Sequence, residues 1–384
     1  MPHVLSTRVK RAFRAIRRVA SSGRFGLTRA SAIGAAGLAM ILCISLLASV
    51  DAISQITARR PPPTLHETGL YADGATLQID PGHLAFEPQY PLWTDGAAKR
   101  RWISIPPGSA IDASDPNAWV FPAGVRLWKE FSFGGRPVET RFMELHADGQ
   151  WRYAAYAWSP DGREALLTSE KGRRGAYPFR DGRSHSIPSV SDCKACHQGG
   201  RTEVLGFSAL QLSRDRDPAA LHIEQQSDPI VDLNSLAAAG KLVGLLTPLL
   251  ESPPRIAAAS AEERAALGYL HANCGHCHND AGSLKNIGLF LRQAVGRSTQ
   301  SAIATTVGYP IKKRAPGQSA EAELRIDALH PERSGLVQRI ASRYPALQMP
   351  PLGTELVDSE AVALLSQWIS QMQDMRGAGR KEGD

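Results

Sequence analysis

The sequence predicts an α+β fold: an N-terminal antiparallel β meander (a sandwich or barrel) followed by mainly α-helical domains. Three observations predict it. Segments 99–105, 126–133, 138–145 and 151–158 are dominated by aromatic and β-branched residues, and turn signals separate them. From Asp192 onward the chain becomes rich in Ala and Leu, and its last regular segment carries an apolar stripe at helical spacing. That second half also holds two Cys-x-x-Cys-His motifs, Cys193-Lys194-Ala195-Cys196-His197 and Cys274-Gly275-His276-Cys277-His278.

The chain opens on a basic tail, residues 1–29, with Arg8, Lys10, Arg11, Arg14, Arg17, Arg18, Arg24, Arg29 and no acidic residue. This tail accounts for the net charge of +7. The remainder is close to neutral, so no nucleic-acid partner is expected. Residues 30–50 carry no charge, and as a helix they would span about 30 Å, the hydrocarbon thickness of a bilayer. With basic residues before it and Asp51 after it, segment 30–52 is expected to be a single-pass inner-membrane anchor that places the body in the periplasm. A cleaved signal peptide ending near Ala52 is the alternative, although its apolar core would exceed the usual ~7–15 residues. Either reading exports the body. Residues 53–84 begin as a stiff linker, Arg59-Arg60-Pro61-Pro62-Pro63.

Residues 85–190 form the β-rich region. Gly134-Gly135 between the second and third strand segments suits a tight hairpin. Asp148-Gly149 separates the third and fourth, and Ser159-Pro160-Asp161-Gly162 ends the fourth. One face of such a meander is left to pack on a haem domain or a partner. Residues 191–259 hold the first motif and a segment, 219–250, that reads as helical with Asp232 and Ser235 as caps. Pro253-Pro254 breaks it. In region 260–374, Ser260-Ala261-Glu262-Glu263 is a capping-box sequence that starts a helix through Ala265, Leu267, Tyr269 and Leu270 into the second motif. The last helix, 358–372, places Ala361, Leu364, Leu365, Trp368, Ile369 and Met372 on one face. Residues 375–384 look frayed.

The motifs carry the chemistry. Two thiols one helical turn apart can each bond one vinyl group of the same porphyrin, and the adjacent histidine reaches the iron. Cys193 and Cys196 with His197, and Cys274 and Cys277 with His278, therefore predict two covalently bound haem c groups. They use four of the five cysteines, and Cys43 sits in the apolar segment. A zinc site needs four grouped ligands but no histidine directly after both second cysteines. A thioredoxin-like dithiol needs a βαβ context, and a disulfide closing so short a ring is strained. For the first iron the sixth-ligand candidates are Met143, His146, His185 and His222, or the position is open.

A helix, the attachment motif, a long loop, Met349-Pro350 and a closing amphipathic helix together resemble a class I cytochrome c domain over 260–372. The resemblance implies Met349 as the second iron's distal ligand and Trp368 near the haem edge. His271 and His276 lie too near the motif to reach the opposite haem face. Tyr90-Pro91-Leu92-Trp93-Thr94-Asp95-Gly96-Ala97, with Lys99, Arg101-Trp102-Ile103 and Phe121-Pro122-Ala123-Gly124, is similar to a family of exported di-haem proteins of unassigned function, over about 85–370. It implies no substrate. Asp95, Lys99 and Arg101 read either as a ligand-binding cluster or as salt-bridged residues of an exposed sheet face.

The expected role is single-electron transfer between donor and acceptor proteins, with no catalytic residue. The alternatives are a di-haem oxidase or peroxidase with an open first haem, and a docking module that drains electrons from a dehydrogenase.

Overall fold

A computed structural model describes residues 60–73, 76–224, 229–296 and 302–372. Pro61–Asp384 forms one compact unit. The basic tail 1–29, the expected anchor 30–52 with Cys43, and the tail 375–384 lie outside the described residues.

The centre of the unit is a seven-stranded mixed sheet. Its strands are β1 (Leu84–Phe86), β2 (Ala98–Ser104), β4 (Arg126–Phe133), β5 (Arg136–Leu145), β6 (Trp151–Trp158), β7 (Ala165–Leu167) and β10 (Ile230–Val231), in the order β10-β1-β2-β4-β5-β6-β7. All neighbours run antiparallel except β10, which pairs parallel to β1. Short β3 (Ile111–Asp112) pairs with β11 (Leu242–Val243), and β8 (Arg173–Pro178) forms a hairpin with β9 (Ser184–Ile187). The β4–β5 turn works because Gly134 and Gly135 both take positive φ, 57° and 78°, as a two-residue turn of the primed type demands.

Period-two alternation sorts the sheet residues onto two buried faces. On one face Trp102, Trp128, Phe142 and Tyr156 pack under Leu65 and Leu70 of the N-terminal segment. Fully burying such a side chain is worth roughly 1.5–3 kcal/mol. On the other face Ile103, Leu127, Met143 and Tyr153 pack against Val204, Phe207 and Leu212 beyond the first motif. The sheet is therefore a wall covered on both sides, and the second cover carries the first Cys-x-x-Cys-His.

The expected fold class needs correction. The meander strands are present, but they belong to a mixed sheet that also recruits Ile230–Val231 from the second half, and that second half is not mainly helical. Its helices are α1 (Val190–His197), α2 (Leu233–Ala238), α3 (Pro248–Glu251), α4 (Ala261–Asn273), α5 (Ala302–Thr306), α6 (Gly335–Ile340) and α7 (Ser359–Ser370). Glycine and proline set the limit. Among the described residues of segment 219–250 the helices are α2, capped as expected by Asp232 and Ser235, and the start of α3, because Gly240 (φ 64°) and Gly244 (φ 70°) turn the chain and Pro248 restarts it. Ser260 caps α4 by accepting from Glu263 N, and Asp358 caps α7 by accepting from Ala361 N. These two helices pack together, with Ala266, Leu270, Leu365, Trp368 and Ile369 between them.

Anchoring is corrected too. Among the described residues no helix is long and apolar enough to cross a membrane. The longest described helix, α4, has 13 residues, about 20 Å against the ~30 Å of a hydrocarbon core. The single-pass inner-membrane placement, with its periplasmic body, has no described helix to rest on and is withdrawn.

Candidate functional site

The first motif sits on α1. Ser189 accepts from Asp192 N (3.1 Å), and Asp192 Oδ2 accepts from Ser189 N (2.9 Å), a reciprocal cap that fixes where the helix starts. Cys193, Cys196 and His197 then fall at i, i+3 and i+4, so the thiols and the imidazole share one helix face. That helix lies against β6, where the Tyr153 ring is 5.4 Å from the His197 ring. His197 Nδ1 is 2.6 Å from the carbonyl oxygen of Glu203. A carbonyl can only accept, so Nδ1 carries the proton and Nε2 keeps its lone pair. Burial pushes the His197 pKa down to about 4, and the neighbouring Lys129 and Arg141 charges act in the same direction. The imidazole is neutral at pH 7, the form that ligates a metal.

The second motif begins where α4 ends. Cys274 caps the helix, with its N–H donating to Leu270 O, and His278 N donates back to Cys274 O (2.8 Å), so the motif is a tight turn. Burial, followed by the His276, Arg325 and Arg339 charges, pushes His278 to about 4. Its Nδ1 is buried with no hydrogen-bond partner. Both motif histidines are thus desolvated and neutral.

The fold brings the motifs together. The Cys196 and Cys277 thiols interact, which pushes Cys196 up to about 12 and lowers Cys277. Cys277 Sγ lies 3.9 Å from the carbonyl of Ala195, 82 residues earlier. Burial pushes Cys274 to about 12 and raises Cys193. None of these four thiols is in a disulfide. The clamp between the motifs is Asn279, which is 2% exposed. Its Nδ2 lies 2.8 Å from Gly199 O, 3.1 Å from Gly275 O and 3.0 Å from His276 O. Its Oδ1 accepts from Ala281 N and Gly282 N. Glycine is needed on both sides of this seam. A Cβ on Gly199 would stand 2.5 Å from His276 O, and one on Gly282 would stand 2.2 Å from Gly199 O.

A cavity of about 240 Å³ runs along the seam. Cys193, Cys196, His197, His276 and Cys277 line it from the motif side, while Arg101, Lys129, Arg141, Met143 and Tyr153 line it from the sheet. Of the four sixth-ligand candidates Met143 is on this wall. Two of the three histidines are hydrogen-bonded to carboxylates, His222 to Asp358 (2.8 Å) and His185 to Asp95 (3.0 Å), while His146 Nε2 lies 3.5 Å from Glu144 with no hydrogen-bond partner. Burial alone would lower His185, but its hydrogen bond to Asp95 and the Glu139 carboxylate beside it outweigh that and raise it.

Met349 packs with Cys274 against the apolar cluster of α4, α6 and α7, and its N–H donates to Arg339 O (2.9 Å). The Pro350–Thr354 stretch that follows turns onto the cavity. Trp368 is buried in the same cluster. His271 Nδ1 accepts from Gln293 N (3.0 Å), a hydrogen-bonding role.

Among the described residues no three His, Cys, Asp or Glu side chains converge to hold a metal ion, and the expectation of a metal-binding centre at the Cys-x-x-Cys-His motifs is corrected to that extent. Fit to a porphyrin is a separate question, because its own nitrogens fill four positions and it asks the chain for thiols and one or two axial donors. Unpaired thiols on one helix face, a desolvated neutral histidine with Nε2 free, and an adjoining cavity meet that demand at the first motif. Thiols and a buried histidine at the second motif meet it as well.

Nothing in the sequence marked Asn279 as a clamp or Asp95, Lys99 and Arg101 as buried. Asp95 joins the sheet region to the C-terminal loop, where its Oδ1 accepts from Glu355 N (2.7 Å) and Leu356 N (2.9 Å). No known protein family, curated protein or solved structure matches this chain.

Proposed function

We propose that this chain is a di-haem protein of the c type that passes single electrons between partner proteins. The observation that carries the reading is the meeting of two Cys-x-x-Cys-His motifs, distant in sequence, at one seam where the Cys277 thiol reaches the Ala195 carbonyl of the first motif and all four thiols remain free of disulfides. Cys193 and Cys196 would hold one porphyrin with His197 as axial donor, and Cys274 and Cys277 the other with His278. When bound, each haem supplies one-electron redox chemistry at its iron.

The chain's own residues do the rest. The Glu203 carbonyl fixes the His197 tautomer, as outer partners of metal-bound histidines do. Burial keeps both histidines unprotonated, and Asn279 holds the two attachment points side by side, which favours exchange between two centres over two separate sites. Met349 and Met143 are the donors proposed for the sixth positions of the second and first iron. With His185 and His222 hydrogen-bonded to carboxylates and none of the three histidines lining the cavity, the alternative to Met143 is an open first iron and an oxidase or peroxidase role.

A haem-stained denaturing gel with a pyridine haemochrome count tests the reading. Two haems per chain are expected in protein from a host competent in haem attachment, and one after Cys193→Ala with Cys196→Ala. Colourless wild-type protein refutes it. Carbon monoxide added to the reduced protein separates the two roles, since two saturated irons leave the spectrum unaltered.

A further inference from the structure

Three cations stand in a row across the sheet face that the cavity touches. Arg101 on β2 is the direct partner of Lys129 on β4, and Lys129 is the direct partner of Arg141 on β5. All three line the cavity. Like charges directly opposite one another across strands are destabilising, so such a row calls for a counter-charge.

The chain itself does not supply enough. Arg101 is 4% exposed, and neither of its terminal guanidinium nitrogens has a hydrogen-bond partner; the nearest carboxylate oxygen, on Glu224, is 3.9 Å away. Glu224 is engaged by Lys99, whose Nζ donates to it at 3.2 Å and to Ala97 O at 2.7 Å. The Lys129 ammonium has no ion pair or hydrogen bond among the described residues, and it lies 4.9 Å from the Phe131 ring centre. Arg141 is paired with Glu139 (2.5 Å), which also faces the raised His185. Asp192 lines the cavity but is consumed by the α1 cap, and Glu203 accepts from Tyr153. Burial, followed by the Arg101, Lys99 and Arg141 charges, pushes Lys129 well below the usual lysine range. Glu224 and Glu87 act on Arg101 through space without hydrogen-bonding its terminal nitrogens, and a buried guanidinium is costly unless it is both paired and hydrogen-bonded.

We propose that Arg101, Lys129 and Arg141 form a receptor for a carboxylate that enters the cavity between the sheet and α1. Guanidinium groups grip carboxylates through two parallel hydrogen bonds, and Arg101 has both terminal nitrogens free to do so. Two sources share this chemistry: a propionate side chain of the haem at the first motif, and a diffusible organic acid. The first source rests on the di-haem reading and the second does not.

The test uses the full chain with Lys129→Met and Arg101→Met, and Lys129→Arg as the charge-keeping control. Potentiometric titration reads the haems, and calorimetric titration with succinate reads free carboxylate. If a propionate fills the row, Lys129→Met lowers the midpoint potential of one haem, because a nearby cation favours the ferrous state. The other haem is unmoved, Lys129→Arg restores the value, and succinate does not bind. If an organic acid fills it, wild type takes up one succinate per chain, either methionine variant weakens uptake at least tenfold, and the potentials without succinate are unchanged. Unshifted potentials together with no succinate uptake overturn the proposal. If the protein proves colourless, the di-haem reading fails by itself and the succinate titration alone upholds or overturns the row.

Discussion

Asn279→Ala is the perturbation that most directly tests whether one amide holds the two motifs together. The Asn279 amide has two hydrogens for three carbonyls, Gly199 O, Gly275 O and His276 O, so at least one hydrogen is shared. Its oxygen accepts from Ala281 N and Gly282 N. That amounts to about four full hydrogen bonds at ~1 kcal/mol each, or about 4 kcal/mol. Leaving buried backbone groups unpaired pushes the cost upward, and water entering the vacated space pushes it down. In domains of 150–250 residues 1 kcal/mol moves Tm by about 2–4 °C, and by less in larger ones, so a fall of about 8 °C is expected. Circular dichroism melting of the full chain, wild type against variant, reads it. Asn279→Asp separates the halves of the clamp: it keeps both acceptor bonds but sets an acceptor oxygen against three carbonyls, and it should melt lower than Asn279→Ala. A Tm for Asn279→Ala within 1 °C of wild type would refute the argument that this side chain joins the motifs.

Two further outcomes are expected. His185 is raised by its carboxylate partners, so the stability it contributes is fully present below the unfolded histidine value, about 6.5, and is lost as pH rises through the higher folded value. The Tm difference between wild type and His185→Gln should therefore shrink from pH 6 toward alkaline pH, and a difference that grows with pH reverses the assigned sign. Met349→Ala should lower the potential of one haem and open it to carbon monoxide, whereas an unchanged spectrum and potential remove Met349 from that iron.

Local signals were legible where the physics is local. The four central strand segments match β2, β4, β5 and β6 closely, because alternation and glycine turns are properties of a few adjacent residues. Ser260 and Asp232 cap the helices expected of them for the same reason. What failed was long-range. That Ile230–Val231 adds a parallel strand at Leu84–Phe86 is invisible in either segment alone. Helix content was overread in 219–250, because Ala and Leu propensity was weighed above Gly240, Gly244 and Pro248, which end helices wherever they fall. Asp95, Lys99 and Arg101 looked like an exposed charged strand face. Their burial depends on the second half of the chain folding back over the sheet, with Glu224 and Glu355 arriving from more than a hundred residues away.

This folding back makes the two motifs unequal. The second has its own helical surroundings, since α4 leads into it and α6 and α7 pack behind Cys274 and Met349. The first has one short helix, and everything else it needs comes from the sheet: Tyr153 against the His197 ring, the Glu203 carbonyl on Nδ1, Met143 on the facing wall and the cation row beside it. A change in the sheet should therefore reach the first centre and spare the second, while a change in α7 should do the reverse. Two centres tuned by separate parts of one chain, yet joined through Asn279, can differ in potential while their attachment points stay in contact. The proposed electron relay needs both properties, and a sheet packed solely for stability would have no reason to bury Arg101 with both terminal nitrogens lacking a hydrogen bond.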